Sequence, residues 1–371
     1  MSQPLAQYRR ATPNGGRTRF NPDVDFDFDV PDEGFNIVPN SFFIKGTLVA
    51  EQNGGHIGTA DIKFDPHAGI HGFFSRFDCT SGSGQINFNR YNRHIAALSE
   101  VNQYYQDLFA ETDKNMELRI GEEEYTQKVL QGYSNTDYGV PFVFKPLIAF
   151  NSSDKPLNFK RMGGMIRISG RLESVRGVLF GDDCSSAATS YYIDNLELHW
   201  MIDPAGNADT GPITFVYYHG IRQVINSNNA NIQVQMPGLG QAMTATFLPI
   251  SNEDNYEENT LRTAVLPGVS RVQFSFNDAD NSKISFPLEN VEEIAWNYHK
   301  AMGAGSPTLS HSQLLSRTDL DEPSNRGYGI GISFGQLSNL TSTKFAMNVR
   351  SEVSNTDPYA TYLFFKAILK M

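Results

Sequence analysis

Three histidines in the first quarter of the chain carry side chains that could bind a metal ion. His67 and His71 are four residues apart, and His56 lies nearby in the sequence. Two histidines at this spacing share one face of a helix and can ligate a metal together. Pro66 and two neighbouring glycines disfavour a helix at this place. We therefore expect loop or strand histidines without a ligand role.

Acidic residues at two places could hold a cation. Residues 278–282, Asp-Ala-Asp-Asn-Ser, have the acidic spacing that opens a calcium-binding loop. The glycine and the bidentate glutamate that such a loop needs at later positions are missing, so a polar turn is expected. Asp182 and Asp183, beside Cys184, indicate a solvated loop, and a cation that bridges subunits is the alternative. The sequence assigns no metal-binding residue.

Two glycine-containing segments share letters with catalytic or nucleotide-binding motifs. Residues 81–84, Ser-Gly-Ser-Gly, lack the nucleophile elbow followed by an acid and a histidine, and they predict a turn. Residues 327–331, Gly-Tyr-Gly-Ile-Gly, run into an alternating strand pattern, whereas a dinucleotide loop needs a helix there to hold the pyrophosphate. We therefore expect no catalytic residue, no cofactor and no enzymatic activity.

Short stretches of alternating apolar and polar residues are the main signal of the chain. In the clearest one Ile166, Ile168, Gly170 and Leu172 alternate with polar residues. A period of two places one set of side chains in a core and the other in solvent, as in antiparallel strands. The sequence predicts an all-β protein whose role is to present surface. Further examples lie at 196–200, 232–236, 272–276 and 345–349.

The composition restricts the partners of the protein. The chain has 371 residues, more than one typical domain, and a formal net charge of -11. So acidic a chain is poorly suited to wrapping a phosphate backbone, and we expect no sequence-specific binding of nucleic acid. Only 19% of the residues are charged. The surface is therefore either rich in uncharged polar residues or partly buried against partner proteins.

Cysteine content and hydropathy bear on the compartment. Cys79 and Cys184 are the only cysteines, and two thiols far apart in sequence do not make a disulfide framework. Unpaired thiols are the simpler expectation, and pairing stays open. We find no signal peptide and no apolar run near the roughly 18 residues that span a bilayer. We expect a protein that is made in soluble form.

The sequence divides into an arm and two strand-rich blocks. Residues 1–35 combine four arginines with alternating Val or Phe and Asp, and we expect this arm to dock as an added strand or to clamp a neighbour. The turn-forming segment 203–212 is the expected domain boundary. Each block has about eight strands and a helix before the last ones, at 91–110 and 308–317. We predict an N-terminal arm at 1–35 and two tandem eight-stranded antiparallel jelly rolls, at 36–204 and 205–371.

The predicted strands of the first block lie at 41–50, 56–64, 70–79, 84–89, 141–150, 163–172 and 189–202. Those of the second block lie at 213–225, 230–236, 243–250, 262–266, 270–276, 283–297, 328–335, 341–350 and 359–369. The polar stretches 111–139 and 298–327 are predicted to be loops.

Four segments stand out in this order: GIHGFFSRFD (69–78) before a tyrosine-containing helix, MGGMIRI (162–168) with YIDNLEL (192–198), LPGVSRV (266–272), and FAMNVR (345–350) with DPYATYLFF (357–365). Together they resemble the double jelly-roll major capsid proteins of tailless icosahedral viruses, of the type found in virophages and polinton-like viruses. The resemblance covers residues 36–371. The long loops that larger relatives insert at the outer rim are reduced here.

The resemblance implies a structural major capsid protein located in the virion and made in the host cell as a soluble protein. Three copies would form a homotrimer of six barrels, a pseudo-hexagonal capsomer that tiles an icosahedral shell. Its partners would be neighbouring capsomers and minor capsid or penton proteins. The arm would suit the inner side of the shell, where it could anchor a neighbour, an inner membrane or a minor protein.

Two other functions use the same barrel. One is a jelly-roll attachment or carbohydrate-binding module, such as a spike or penton-like protein. It would usually be shorter and would carry exposed aromatic platforms, whereas the loops here are rich in Asn, Gly, Ser and Asp. The other is a cupin-type metal enzyme, which needs a cluster of His and Glu on adjacent strands that the sequence does not provide.

Overall fold

The computed structural model describes residues 7–101, 123–131, 139–184, 188–203, 211–226, 229–234, 239–263, 266, 268–277, 283–303, 329–339, 344–351 and 358–371. The predicted helix at 308–317 and the Asp-rich turn at 278–282 lie outside these residues, as does nearly all of the predicted boundary at 203–212. No helix in these ranges is both long and apolar enough to cross a lipid bilayer.

Among the described residues thirteen strands precede the expected domain boundary. In β11 the alternating pattern of the sequence is matched by alternating burial, with Ile166, Ile168, Gly170 and Leu172 buried and the residues between them half-exposed. The strands are β1 Gln7–Ala11, β2 Arg19–Phe20, β3 Asp25–Val30, β4 Asn36–Ile37, β5 Phe43–Gln52, β6 Gly55–His56, β7 Lys63–Phe64, β8 Phe74–Ser81, β9 Gly84–Asn89, β10 Gly139–Phe144, β11 Ile166–Leu172, β12 Leu179–Phe180 and β13 Thr189–Asp203.

Eight more strands follow. They are β14 Thr214–Ile225, β15 Asn229–Val234, β16 Leu239–Pro249, β17 Val269–Asn277, β18 Lys283–Leu288, β19 Ile330–Asn339, β20 Lys344–Ser351 and β21 Tyr359–Lys370. They form two antiparallel four-stranded sheets with the orders β14-β21-β16-β19 and β15-β20-β17-β18. Each sheet thus interleaves early and late strands of the block, which is the double Greek key of a jelly roll. We call this unit the second roll.

The strands before the boundary repeat this topology, and we call that unit the first roll. One of its sheets has the order β1-β13-β5-β10, with β2 and β4 also paired to β13 and β6 paired to β5. The other has the order β3-β11-β8-β9, and β7 and β12 form a small separate pair. In the first roll β13, β5 and β10 therefore take the places of β21, β16 and β19. The predicted fold, two tandem antiparallel jelly rolls, is confirmed.

Within the described residues four α-helices interrupt the strands: α1 Tyr91–Val101, α2 Glu123–Gln131, α3 Val175–Val178 and α4 Val291–Ala301. The predicted strand 283–297 is wrong in its second half, because β18 ends at Leu288 and α4 begins three residues later. Asn290 caps α4 by accepting a hydrogen bond from the backbone N–H of Glu293, and an Asn-x-x-Glu pattern is a helix-start signal. Apolar residues three or four positions apart then follow.

Four other predictions fail locally. Residues 56–64 are a strand only at their two ends, and 262–266 has no strand in its described part. Residues 69–73 form a 3-10 helix ahead of β8. The stretch 111–139 was predicted to be a polar loop, but α2 lies within it and buries Val129 and Leu130. Amphipathic spacing thus overrides a charged average composition.

The segment predicted to be an arm supplies strands to the first roll. β1 and β2 pair with β13, and β3 pairs with β11 along its whole length. Phe26, Phe28 and Val30 are buried in the core, while the aspartates between them are exposed or half-exposed. We therefore propose that the first roll begins before residue 36.

Ion pairs connect β3 to β11 and to β8 on the outer face of the sheet. Arg167 makes two hydrogen bonds to the carboxylate of Asp29, with Nε–Oδ1 at 2.6 Å. These bonds hold the pKa of Asp29 below its ordinary value. Arg76 contacts Asp25 at 3.1 Å. The alternation of acids and apolar residues in β3 thus serves the core on one face and cross-strand pairing on the other.

Replacing Phe28 by alanine tests the place of β3 in the core. We expect Phe28→Ala to lower the free energy of unfolding by about 3–5 kcal/mol, because the ring is fully buried. Asp27→Ala, at the adjacent outward position, should change it by less than about 0.5 kcal/mol. Urea denaturation followed by circular dichroism measures both. Equal effects would contradict the assignment of β3 to the core.

Candidate assembly site

Helix α1 lies at the contact between the two rolls, beside the approach of β9 to β14. Every residue from 91 to 99 is buried, polar ones included. On the first-roll side the Tyr91 ring packs against Phe77 and Phe88, at centroid distances of 4.8 and 5.2 Å. A helix that is buried all round must be covered on its other side as well. The second roll provides that cover.

Aromatic rings and apolar side chains make the centre of this junction. Phe88, on β9, stacks on Tyr218 of β14 with ring centroids 5.5 Å apart. The imidazole of His94 lies 4.5 Å from Tyr218 and 4.6 Å from Phe364. Further along, Ala97 and Leu98 of α1 cluster with Tyr298 and Met302 at the end of α4. The junction therefore has an aromatic centre and a second, smaller apolar cluster beside it.

The backbones of the two rolls approach closely beside this cluster. A side chain at Gly220 of β14 would overlap the carbonyl oxygen of Asn89, at the end of β9. Glycine permits this approach because it has no Cβ atom. The rolls are therefore held at a fixed distance by main-chain contact.

A charged network crosses the junction beside the rings. Arg93 of α1 donates a hydrogen bond to the carbonyl oxygen of Thr260, and its guanidinium lies 4.2 Å from the ring centre of Tyr362. The Tyr362 hydroxyl donates to Glu253, which also accepts two hydrogen bonds from Arg222. Arg222, Glu253 and Tyr362 thus satisfy one another on the second roll, and Arg93 contacts them from the first roll.

The environment shifts the ionisation of this network. Burial raises the pKa of Tyr362 to about 12. Burial alone would raise the pKa of Glu253 too, but hydrogen bonds from Arg222 and Tyr362 hold it below its ordinary value. The hydrogen bonds to Glu253 raise the pKa of Arg222. The pair stays ionised, which fixes its geometry.

A loop of the second roll, residues 250–263, which we call the strap, packs against the first roll through hydrogen bonds. The side-chain amide of Asn259 donates to Asp65 Oδ2 at 2.5 Å, and the carbonyl oxygen of Tyr256 accepts from the backbone N–H of Gly181 at 2.8 Å. The Thr260 hydroxyl donates to the carbonyl oxygen of Arg176 at 3.3 Å. The strap extends the junction over a second side of the first roll.

The histidines singled out in the sequence are placed separately. His71 lies in the 3-10 helix, is fully buried, and its Nδ1 is 2.6 Å from the hydroxyl of Tyr91. Burial lowers its pKa to about 3. His56 Nδ1 accepts a hydrogen bond from Gly58, and the backbone N–H of His67 bonds to Asp65. Among the residues that the structure describes, no group of three or more His, Cys, Asp or Glu could hold a metal ion.

The other candidates have structural partners. The backbone N–H of Asp182 donates to the carboxylate of Asp61 at 3.1 Å. In return, the backbone N–H of Asp61 donates to the carboxylate of Asp183 at 2.7 Å. Cys79 and Cys184 are both free and buried. Burial raises the pKa of Cys79 to about 12 and that of Cys184 to about 11, so both stay protonated at neutral pH.

The glycine segments also serve the strands. Residues 81–84 link β8 to β9, and the backbone N–H of Ser83 donates to the Ser81 hydroxyl at 3.2 Å, so the predicted turn is confirmed. Of the segment 327–331 the structure describes only Gly329 onward. Ile330 begins β19 there, as the alternation predicts.

Sequence reasoning missed the junction. Arg93, Glu253 and Tyr362 lie far apart in the chain, and none of them belongs to a recognisable motif. The available signal was local: α1 has polar residues on every face, yet lies between strands of a small barrel. Such a helix needs a polar partner, but the sequence alone does not say which one.

The fold is that of viral capsid proteins with two jelly rolls in one chain. The chain is similar over its full length to the Faustovirus major capsid protein, with 10% identity, a TM-score of 0.61 and 91% of that chain covered. It is similar to PBCV-1 VP54 fitted into a reconstruction of the virophage Sputnik, with 8% identity, a TM-score of 0.57 and coverage of 100% of this chain and 96% of the other.

A third structure, that of the Sputnik virophage, has 11% identity and a TM-score of 0.53, with 99% of this chain and 87% of the other covered. No protein-family model and no curated protein matches the sequence. The chain therefore has the double jelly-roll fold of these major capsid proteins.

Adding a methyl group at Gly220 tests the main-chain contact. We expect Gly220→Ala to lower the free energy of unfolding by about 1–3 kcal/mol, because the Cβ atom overlaps Asn89 and forces the rolls apart. Gly55→Ala is the control, since the nearest atom to its Cβ would be 3.8 Å away, and it should have an effect within about 0.5 kcal/mol. Thermal and urea unfolding measure both, and equal effects would contradict the contact.

His94 should make the junction sensitive to acid. Burial, aided by the charge of Lys366, lowers its pKa from 6.5 to about 3, and neither ring nitrogen has a hydrogen-bond partner within the described residues. Below pH 6.5 the unfolded chain binds a proton at His94 that the folded chain does not bind. The free energy of unfolding therefore decreases as the pH is lowered from 6.5 towards 3.

The measurement compares the wild type with His94→Leu. Between pH 7.5 and 5 the wild type should lose about 2 kcal/mol more unfolding free energy than the variant. Urea titrations over this range provide the values. Parallel pH profiles would show that His94 does not titrate differently in the two states.

Proposed function

We propose that this chain is a structural major capsid protein, and that three copies form a pseudo-hexagonal capsomer that tiles an icosahedral shell. The observation that carries the proposal is the pair of jelly rolls of equal topology, with a helix at their junction whose residues 91–99 are all buried. Two equivalent barrels per chain give three chains six similar sides, which suits packing in a hexagonal net. The similarity over the full chain to capsid proteins supports the same role.

A structural role rather than an enzymatic one agrees with where the perturbed ionisable groups lie. His71 and His94 are buried among aromatic rings, and the ions of Glu253 and Arg222 are paired in the junction. Shifted pKa values mark catalytic sites when the groups line an open cleft. Here the shifts arise from packing inside the first roll and at the junction, and we propose that they serve rigidity.

The arginines of the N-terminal segment contact carboxylates of the same chain. Arg9 lies 2.6 Å from Glu33 and Arg19 lies 3.0 Å from Asp194. Pairing within the chain leaves less positive charge for a genome, so we propose that this segment acts through protein contacts. Neighbouring capsomers and minor capsid or penton proteins are its proposed partners, and a contact with an inner membrane stays a prediction.

The mass of the purified protein tests the proposal. Size-exclusion chromatography with light scattering should give three times the 41.4 kDa of the chain, and negative-stain microscopy should show hexagonal capsomers or shells. A monomer that binds glycans on an array would contradict the capsid role and would support the attachment module instead. A monomer without glycan binding would contradict both.

A further inference from the structure

The outward faces of two sheets, one in each roll, carry the same pair of arginines. The β3-β11-β8-β9 and β15-β20-β17-β18 sheets have equivalent strand orders, so that β11 corresponds to β20 and β8 corresponds to β17. In the first roll Arg171, the penultimate residue of β11, is opposite Arg76. In the second roll Arg350, the penultimate residue of β20, is opposite Arg271. We call Arg271 and Arg350 the second-roll arginine pair.

In the first roll, carboxylates of the same chain neutralise the corresponding arginines. Asp25 of β3 has its two carboxylate oxygens 3.1 Å from Arg76 Nη2 and 4.0 Å from Arg171 Nη1. Asp78 adds a contact of 3.1 Å to Arg76 Nε. Asp23 adds one of 3.5 Å to Arg171 Nη2. Two arginines at this place in a roll therefore form an arrangement that binds carboxylates.

In the second roll, amide residues stand in the place of two of these carboxylates. Asn229 is the first residue of β15 and is opposite Arg350, just as Asp25 is the first residue of β3. Gln273 follows the arginine of β17 by two residues, as Asp78 does in β8. An amide carries no charge, so it does not neutralise a guanidinium group. The second roll therefore keeps the two cations without these two anions.

The second-roll arginine pair is open to solvent. Arg350 is exposed, and the structure gives it no acidic partner among the residues that it describes. Arg271 lies 3.5 Å from Glu289, but these side chains are 46% and 68% exposed, and water weakens such a contact. Positive charge thus predominates at this end of the face. The outward residues beside the pair that the structure describes on β15 and β20 are uncharged, namely Asn231, Gln233, Ala346 and Asn348.

We propose that the second-roll arginine pair binds the carboxylate side chains of an extended segment of a partner protein. An acid of the partner would take the place that Asp25 takes in the first roll. Strand β3 presents Asp25, Asp27 and Asp29 from alternate positions, so a partner segment with acids at alternate positions has the matching form. This binding surface goes beyond the capsid role, and it does not depend on how many copies of the chain associate.

The chemistry of the face favours the carboxylates of a protein over the phosphates of a nucleic acid. A guanidinium group forms paired hydrogen bonds to a carboxylate. Beside it, the amides of Gln233 and Asn348 can donate to and accept from the backbone of an extended segment. Affinity for nucleic acid instead needs many phosphate contacts. Two arginines supply few of them in a chain with a net charge of -11, so an acidic protein segment is the better ligand.

Binding of a labelled peptide to the full chain tests this assignment. The probe is a fluorescein-labelled octapeptide of alternating Asp and Thr, and fluorescence anisotropy measures its affinity. Arg350→Glu removes one of the cations and should weaken binding by at least about tenfold. Asn229→Asp keeps both arginines but supplies the internal carboxylate that the first roll has, and it should weaken binding by a similar factor.

Matched variants separate the arginine pair from the overall charge of the chain. Lys160→Glu changes the net charge as Arg350→Glu does, and Asn53→Asp changes it as Asn229→Asp does. Both control residues are exposed and lie outside the strands of the first roll. Their variants should bind the peptide within about twofold of the wild type, because salt screens distant charges.

Three results would overturn the assignment. They are no binding at about 1 mM peptide, equal binding by the wild type, Arg350→Glu and Asn229→Asp, and tighter binding of an oligothymidylate of the same charge, which would indicate a nucleic acid partner. Arg350→Gln replaces Arg350→Glu if that variant fails to fold. Light scattering of the same samples reports the mass separately. A trimer that does not bind the peptide leaves the capsid role intact, and a monomer that binds it contradicts the capsid role alone.

Discussion

The burial of α1 on all sides is the constraint on which the rest of the structure depends. Asn92 is hydrogen-bonded within the first roll, to Gly72 and Glu173, whereas Arg93 and His94 are buried because the second barrel covers them. Once it does, the two barrels share one core and their strands take a fixed relative position. The double barrel thus behaves as one building unit rather than as two domains on a linker.

The charged part of the junction has a different role from the apolar part. Burying ions costs free energy that their mutual attraction only partly returns, so Arg222 and Glu253 add little net stability. Removal of one partner would leave the other unpaired at high cost. Such pairs favour one geometry over its neighbours, and this one holds the 250–263 loop against β14 and β21.

Much of the fold can be predicted from the local sequence pattern, but the junction between the two rolls cannot. Period-two alternation is strong in β11 and β13, so those strands could be predicted within three residues. The spacing of Val291, Ile294 and Tyr298 is that of a helix, although these residues follow a strand-forming run. The cap at Asn290 favours the start of a helix over continuation of the strand. The junction joins residues that are far apart in the chain, and their meeting depends on the closed barrels.

The sheet order also governs when each part of the chain can fold on the ribosome. Strand β13 pairs with both β1 and β5, so the first barrel can close once residue 203 has emerged. Its helix α1 then waits for β21, the last strand of the second barrel. During that interval the side of α1 that the second barrel later covers is exposed to solvent. Slow synthesis or a lack of chaperones at this stage would favour aggregation.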